Sequence, residues 1–148
     1  MKIFIDADGC PVVDICVAAA KKHDIECIII CDTAHVFQKE YAVTVTVEKG
    51  ADSVDFKLVN MIGKNDIAVT QDYGLAAMCL ARGARPLNQN GLVYTDQNID
   101  ELLFSRYVSK KIRSSGGRLK GPSKRTAKQD KKFLEQLEKL IEYDIKDN

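Results

Sequence analysis

The sequence lacks the cysteine and histidine spacings that bind zinc or support redox chemistry. Its five cysteines form no CxxC pair and have no CxH or HxxxH partner nearby. An odd number of cysteines, with no secretory signal, favours reduced thiols that pack as small apolar groups. Cys27 and Cys31 share a face of a predicted strand, and we interpret both as core residues.

Long apolar runs are also missing. The longest ones, such as residues 25–31, are far too short to cross a bilayer. The amino terminus reaches Asp6 too soon for a secretory signal, so we expect a cytoplasmic protein with no membrane partner. A chain of 148 residues is long enough for one domain with a substantial core. The sequence leaves the formation of a homo-oligomer open.

The net charge of +1 conceals a strong asymmetry along the chain. Residues 1–105 carry nine basic and fifteen acidic side chains, whereas residues 106–132 carry eleven basic side chains and a single acidic one, Asp130. Such a block is typical either of a surface that binds a polyanion, with nucleic acid the first candidate, or of a solvated connector. Charge alone does not decide between these two interpretations.

Short apolar runs alternate with helical patterns along most of the chain. This alternation predicts an α/β fold, a three-layer sandwich with a mainly parallel central sheet plus a C-terminal helix. Residues 1–148 would form a single domain, with residues 114–125 as a flexible basic loop. Strands are predicted at 2–6, 25–31, 41–47, 66–70, 85–87 and 92–94, and helices at 12–23, 51–62, 75–82, 98–112 and 126–143.

Five aspartates stand where apolar strands end or helices begin. Asp6 and Asp8 follow the first strand, two residues apart, so their side chains are expected on one side. Asp52 and Asp55 share a face in the first turn of a helix, and Asp72 follows another strand. Because ligands bind outside the carboxyl ends of parallel strands, we expect these groups to converge there.

Helix capping is the simpler explanation for some of these aspartates. Asp8, Asp52 and Asp72 each precede a predicted helix and are good N-cap residues. Capping does not explain Asp6 or Asp55, nor why several caps should gather at one end of one sheet. The five together therefore indicate a carboxylate metal site.

Clustered carboxylates without cysteine or histidine at ligand spacing favour a hard cation, Mg²⁺ or Mn²⁺. Such an ion could hold a phosphate oxygen and activate a bound water, so no nucleophilic serine or cysteine is required. The sequence thus predicts a catalytic metal site made of Asp6, Asp8, Asp52, Asp55 and Asp72. His35 and Lys57 are interpreted as structural or solvated residues.

Three motifs resemble those of the uncharacterised bacterial YaiI/YqxD family, and the match extends over almost the whole chain. They are the segments Asp6–Val12, Gly50–Asp55 and Asp66–Asp72. That family looks like a branch of the PIN-like nuclease superfamily, whose members hold Mg²⁺ or Mn²⁺ on clustered acidic residues and cleave RNA. The resemblance implies a single PIN-like domain with the five aspartates in its acidic motifs. Gly9 and the pair Tyr73-Gly74 depart from the family pattern without touching a carboxylate.

A nuclease with an acidic site also needs cations nearby, because carboxylates alone repel a polyanion. The basic block supplies candidates for binding nucleic acid, with RNA the expected partner. These are Arg106, Lys110, Lys111, Arg113, Arg118, Lys120, Lys124 and Arg125.

Two other functions remain open at this point. One is a non-catalytic RNA-binding or regulatory module that keeps the fold. The other is a phosphatase, since Asp6-Ala7-Asp8-Gly9 also resembles the opening motif of haloacid-dehalogenase-type phosphatases. That class inserts a flap-bearing segment after the first strand, and here Pro11 starts a predicted helix almost at once.

Overall fold

The computed structural model of the chain describes residues 1–117 and 123–147. It contains a five-stranded sheet in the order β3-β2-β1-β4-β5, in which every strand pair is parallel. The expected α/β fold with a C-terminal helix is therefore confirmed. The strands are β1 (Lys2–Asp6), β2 (Glu26–Asp32), β3 (Val43–Val47), β4 (Ile67–Val69) and β5 (Arg85–Leu87).

Five helices connect or follow the strands within the described residues. None of them is long and apolar enough to span a membrane. The helices are α1 (Val13–Lys22), α2 (Ser53–Met61), α3 (Tyr73–Ala81), α4 (Ile99–Ser114) and α5 (Ala127–Asp147).

The strand order reverses direction at β1. The chain builds outward from β1 through β2 to β3, and β4 then returns to pair with the other side of β1. Such a reversal opens a crevice at the carboxyl ends of the two central strands, because the connections leave in opposite directions. Asp6 ends β1, and Asp72 follows β4 by three residues, so both lie at this switch point.

Alternate residues of the central strands face two separate layers. Ile3 and Ile5 point to a core shared with α1 and α5, whereas Phe4 points to a core shared with α2 and α3. The same alternation places Asp6 and Thr70 on the side of Phe4 and Ala68, beneath α2 and α3. The sandwich therefore has three layers. Asp6 and Thr70 face the layer of α2 and α3 because side chains alternate between the two faces of a strand.

The C-terminal helix begins at the capping box expected from the sequence. Thr126 N donates to Gln129 Oε1 at 2.8 Å, and Gln129 N donates back to Thr126 Oγ1 at 3.4 Å. Its stripe buries Phe133, Leu137 and Ile141 against α1 and the sheet.

Helix α4 packs on the body of the protein through its first turns alone. Ile99, Leu102 and Leu103 contact the α3 side chains Ala76 and Leu80 in a small third core. From Phe104 to Gly117 every residue except Ser109 is exposed. The second half of α4 therefore projects from the domain, which the sequence did not predict.

Several expected boundaries were wrong for identifiable reasons. Residues 92–94 form no strand, since Val93 makes one antiparallel bridge to Leu87 and the Asn88 side chain folds the preceding turn by accepting from Asn90 N and Leu92 N. The strand expected from residue 41 begins at Val43, because Tyr41 has a φ of 75°, which no strand accommodates. Pro11 precedes α1 instead of opening it.

The cysteines are all free thiols. Cys16, Cys27, Cys31 and Cys79 are buried, and Cys10 is partly buried. Cys27 and Cys31 lie in the core beneath α1, which confirms their interpretation as packing residues.

Candidate functional site: an acidic cleft at the carboxyl edge of the sheet

An open cleft of about 560 Å³ lies at the switch point between β1 and β4. Six of the residues that line it are aspartates, and its described lining includes one arginine, Arg106. We call this the acidic cleft. It is lined by Asp6, Asp8, Gly9, Asp32, Gly50, Asp52, Ser53, Val54, Asp55, Gln71, Asp72, Tyr73 and Arg106.

Asp6 is held in place by the neighbouring strand. Thr70 Oγ1 donates to Asp6 Oδ2 at 2.8 Å and also accepts from Asp72 N at 3.0 Å. Tyr94, which is buried, donates its hydroxyl to the carbonyl of Thr70 at 3.0 Å. Thr70 therefore links the carboxyl ends of β1 and β4 and fixes one oxygen of Asp6, while no described residue donates to the other oxygen.

The charge on Asp6 is poorly compensated. Burial raises the pKa of this carboxyl, the hydrogen bond from Thr70 opposes that effect, and the nearby charges of Asp72 and Asp8 raise the pKa further. A carboxylate in this position is stabilised by a cation.

Asp72 combines two roles. Its Oδ1 caps α3 by accepting from Gly74 N at 2.8 Å and from Leu75 N at 3.2 Å, so the capping explanation is correct for this residue. Arg106 Nη1 lies 3.4 Å from the same oxygen. The second oxygen, Oδ2, has no donor among the described residues, and Asp72 lines the cleft.

Asp55 stands in the first turn of α2 and lines the cleft. Burial raises the pKa of Asp55 to about 6, with further contributions from the charges of Asp72, Asp6 and Asp52, and Arg106 opposes them. Because the charges of three other aspartates affect the pKa of Asp55, these residues lie close together although some are far apart in sequence. The convergence expected from the sequence is therefore present for Asp6, Asp55 and Asp72.

Asp52 and Asp8 occupy the rim. Asp52 precedes α2 with a left-handed backbone at φ 61° and makes no side-chain cap, so the capping explanation is wrong for it. Asp8 lies beyond β1 in an exposed turn, so strand alternation does not orient it as expected. Both still line the cleft.

Asp32 is a further aspartate of the cleft that the sequence motifs did not indicate, and His35 is its neighbour. Asp32 ends β2 and faces the cleft from the strand next to Asp6. Its Oδ1 accepts from Ala34 N and His35 N, and lies 3.1 Å from His35 Nδ1, which is also 4.0 Å from Asp8 Oδ1. The signal was present, since Asp32 closes an apolar run just as Asp6 does.

The donor set of the cleft suits a hard cation, but it is not a closed cage. Within residues 1–117 and 123–147, no three side chains of aspartate, glutamate, histidine or cysteine are arranged to hold a metal ion directly. Mg²⁺ does not require such a cage, because it keeps several waters and is commonly bound by one or two carboxylates together with phosphate oxygens. The unbonded oxygens of Asp6 and Asp72, with Asp55, could serve in that way.

The predicted basic residues lie in different environments. Arg106 lines the cleft, and Lys110, Lys111 and Arg113 are exposed on the projecting half of α4. Arg118 and Lys120 lie outside the described residues. Lys124 is exposed.

Arg125 has a structural environment instead of an open one. Its guanidinium donates to Asp130 Oδ1 at 2.7 Å, to Asn90 Oδ1 at 2.8 Å and to the Gln89 carbonyl at 2.6 Å. These bonds tie the start of α5 to the loop after β5, so we leave Arg125 out of the surface considered below for nucleic acid.

Comparison with known proteins agrees with the resemblance seen in the sequence. A UPF0178 protein of Exiguobacterium sibiricum is 49% identical over 141 residues, which cover 95% of this chain and 96% of the relative. A UPF0178 protein of Ruminiclostridium cellulolyticum is 52% identical over 137 residues, covering 93% and 90% of the two chains. No solved structure matches the chain significantly.

The family profile described as "Uncharacterized BCR, YaiI/YqxD family" matches residues 4–143. This range includes all six aspartates of the acidic cleft and the whole sheet apart from its first two residues. The chain therefore belongs to the YaiI/YqxD family, whose function is uncharacterised.

Proposed function

We propose that the protein is a divalent-metal-dependent hydrolase of phosphodiester bonds, with RNA as the first substrate to test. The observation that carries the proposal is the concentration of six aspartates in one cleft, whose described lining has Arg106 as its one basic side chain. Repulsion within such a cluster costs folding free energy, so its presence favours a functional explanation. Assignment to the PIN-like superfamily is part of this proposal.

Asp6, Asp55 and Asp72 are the residues best placed to hold Mg²⁺ or Mn²⁺. Asp8 and Asp52 at the rim, and Asp32 at the end of β2, line the same cleft, where they can bind water of the ion's hydration shell. A bound cation would neutralise a phosphate oxygen and lower the pKa of a coordinated water.

The chain itself orients the carboxylates. Thr70 holds Asp6 through one oxygen, and the first amides of α3 hold Asp72 through one oxygen, so each carboxylate keeps its other oxygen available for a ligand in the cleft. Groups fixed in this way lose little conformational entropy when a ligand binds. Arg106, beside Asp72, supplies a positive charge where a phosphate would enter.

Cleavage of single-stranded and structured RNA with Mg²⁺ or Mn²⁺ tests the proposal. We expect Asp72→Asn to reduce the rate at least about 100-fold, a loss typical of damage to a metal site. Asparagine caps a helix as well as aspartate does, so α3 should remain intact. Asp24→Asn is the matched control, because Asp24 is exposed at the opposite edge of the sheet and asparagine accepts its φ of 54°.

Unchanged cleavage in Asp72→Asn would disprove the site assignment. A metal titration followed by thermal unfolding gives a second readout that does not depend on the choice of substrate. Mn²⁺ should raise the melting temperature of the wild type, because at ten times its dissociation constant it adds about 1.4 kcal/mol to the free energy of unfolding. The melting temperature of Asp6→Asn should rise less. A covalent phosphate trapped on Asp6 would instead favour the phosphatase function.

A further inference from the structure

The projecting half of α4 exposes two aromatic side chains. Phe104 is 66% exposed and Tyr107 is 56% exposed, although both belong to a helix whose first turns are packed. Large aromatic groups are usually buried because each removes much apolar surface from water, so a pair left in solvent indicates a binding surface.

The two rings are already arranged side by side. Their centroids lie 6.5 Å apart with an interplanar angle of 30°, and Lys111 Nζ lies 5.6 Å from the centre of the Tyr107 ring. Phe104, Tyr107 and Lys111 recur at helical spacing, so they share one face. That face offers flat π-surfaces and a positive charge together.

The charge of this segment favours an anionic partner over a second copy of the chain. Residues 104–114 contain four basic side chains and no acidic one. Two such segments brought together would repel each other, whereas a polyanion would be attracted. We call Phe104, Tyr107, Lys110, Lys111 and Arg113 the α4 surface.

The α4 surface also continues directly from the acidic cleft. Ile99 and Leu103 belong to the third core together with side chains of α3, and Arg106, one turn later, reaches Asp72, the residue that caps α3. The exposed half of α4 therefore begins beside the N-terminus of α3, at the carboxyl edge of the sheet. Lys110 and Arg113 follow Arg106 at helical spacing along a neighbouring side of α4, and Lys110 is also one turn from Tyr107, so it lies between Arg106 and the aromatic face.

We propose that the α4 surface binds an unpaired nucleic-acid strand and leads it to the acidic cleft, an inference that rests on the proposed hydrolase function. Bases would stack on Phe104 and Tyr107, and phosphates would lie along Lys110, Lys111 and Arg113. The exposed segment is about 15 Å long, enough for about four nucleotides at stacked spacing. Duplexes bind less well, because their bases do not offer free faces.

Fluorescence anisotropy with labelled 12-nucleotide single strands of RNA and of DNA tests this assignment. EDTA is present throughout, so that binding is measured without cleavage. Replacing both aromatic residues, Phe104→Ala with Tyr107→Ala, should weaken single-strand binding at least about fivefold per stacked base. The pair Phe104→Leu with Tyr107→Leu keeps an apolar helix face and should show a similar loss. Tyr143→Ala removes an exposed tyrosine of α5 and should have no effect.

Inorganic polyphosphate separates stacking from charge. The dissociation constant of polyphosphate, obtained by competition with the labelled strand, should be the same for the wild type and both aromatic variants, because polyphosphate carries no bases. Single-strand affinity that is unchanged in both variants would overturn the proposal. A duplex that binds as tightly as the single strand, with or without the two aromatic residues, would also overturn it. So would sedimentation that shows a dimer for the wild type and a monomer for the alanine variant.

The outcome is distinguishable from failure of the hydrolase proposal. If the wild type shows no metal-dependent cleavage but its binding depends on Phe104 and Tyr107, the hydrolase proposal fails and the protein is a single-strand binding protein. Cleavage that depends on Asp72, together with binding that ignores Phe104 and Tyr107, would remove the α4 surface alone. Strands of RNA and DNA with the same sequence then show which sugar is preferred.

Discussion

Carboxylates at the amino ends of the strands have partners, whereas several of those at the carboxyl ends do not. At the amino edge, where the strands begin, Asp66 accepts from Lys2 N at 2.9 Å through one oxygen and from Gly63 N at 2.8 Å through the other. On the same side, Glu138 of α5 lies 2.6 Å from His23 and 3.5 Å from Lys22. Each of these carboxylates is paired.

The carboxyl edge holds six aspartates, and they differ in their partners. Asp32 and Asp72 each accept two backbone hydrogen bonds and lie beside a basic side chain, whereas Asp6 accepts one hydrogen bond from Thr70. Two of them, Asp6 and Asp55, have a raised pKa, because burial and neighbouring carboxylates disfavour their ionised forms. The same fold thus contains compensated and uncompensated acids about one strand length apart. Paired acids stabilise the native state, whereas clustered acids reduce its stability and are retained where a ligand needs them.

The largest effect that distinguishes the two edges is expected for Asp66→Asn. Its amide group cannot accept both hydrogen bonds, so one backbone N–H would face another donor. We expect a loss of about 2 kcal/mol, or about 6 °C in melting temperature. Thermal unfolding at pH 7.5 in EDTA measures it. A change below about 0.5 kcal/mol would mean that the amino edge does not depend on this pairing.

The same substitution at the other edge should have the opposite sign. Asp55→Asn removes a carboxylate whose pKa is raised to about 6, so the metal-free protein should become more stable at pH 7.5. Solvent screening in the open cleft limits the gain to about 1 kcal/mol. Thermal unfolding in EDTA compares it with the wild type, and a destabilised Asp55→Asn would contradict the electrostatic account of the cleft.

The pH dependence follows from the direction of the shift. The pKa of Asp55 is higher in the folded protein than in the unfolded chain, so the folded state binds the proton more tightly. The stability linked to this proton is fully present below pH 3.8 and is lost as the pH rises through about 6. The advantage of Asp55→Asn should therefore disappear near pH 4. In the wild type, divalent cations should bind less well below pH 6, because protons compete for the carboxylate.

Much of the fold and part of the site could be predicted from local pattern. Apolar runs closed by Asp6 and Asp72 identified the central strands and the edge to which they point, because strand period and parallel pairing leave little freedom. Asp32 closes a similar run at the end of β2, so the same pattern identifies it, although it lies outside the three motifs.

Other features depend on contacts that local pattern does not contain. Arg125 was assigned to nucleic acid from the charge of its neighbourhood, yet its partners Gln89 and Asn90 are 36 and 35 residues away. The local sequence pattern also does not indicate how far α4 extends beyond the third core, or that Asp52 has a left-handed backbone. Such features follow from tertiary packing.

The smallest expected effect concerns Arg106, the one described arginine of the cleft. Arg106→Gln removes a charge that opposes the raised pKa of Asp55, so that pKa should rise further and the metal-free protein should lose up to about 0.5 kcal/mol. The loss is small because the Arg106 side chain is 59% exposed.

A divalent cation should abolish this difference, because it would replace the lost positive charge between the carboxylates. Melting temperatures of Arg106→Gln and the wild type should therefore differ in EDTA and coincide in saturating Mg²⁺. Arg113→Gln is the matched control, since Arg113 is exposed farther along α4 and has no acidic partner among the described residues. If the two arginine variants behave alike, Arg106 does not compensate the carboxylates of the cleft. The negative charge at the carboxyl edge is then even less compensated than the contact between Arg106 and Asp72 indicates.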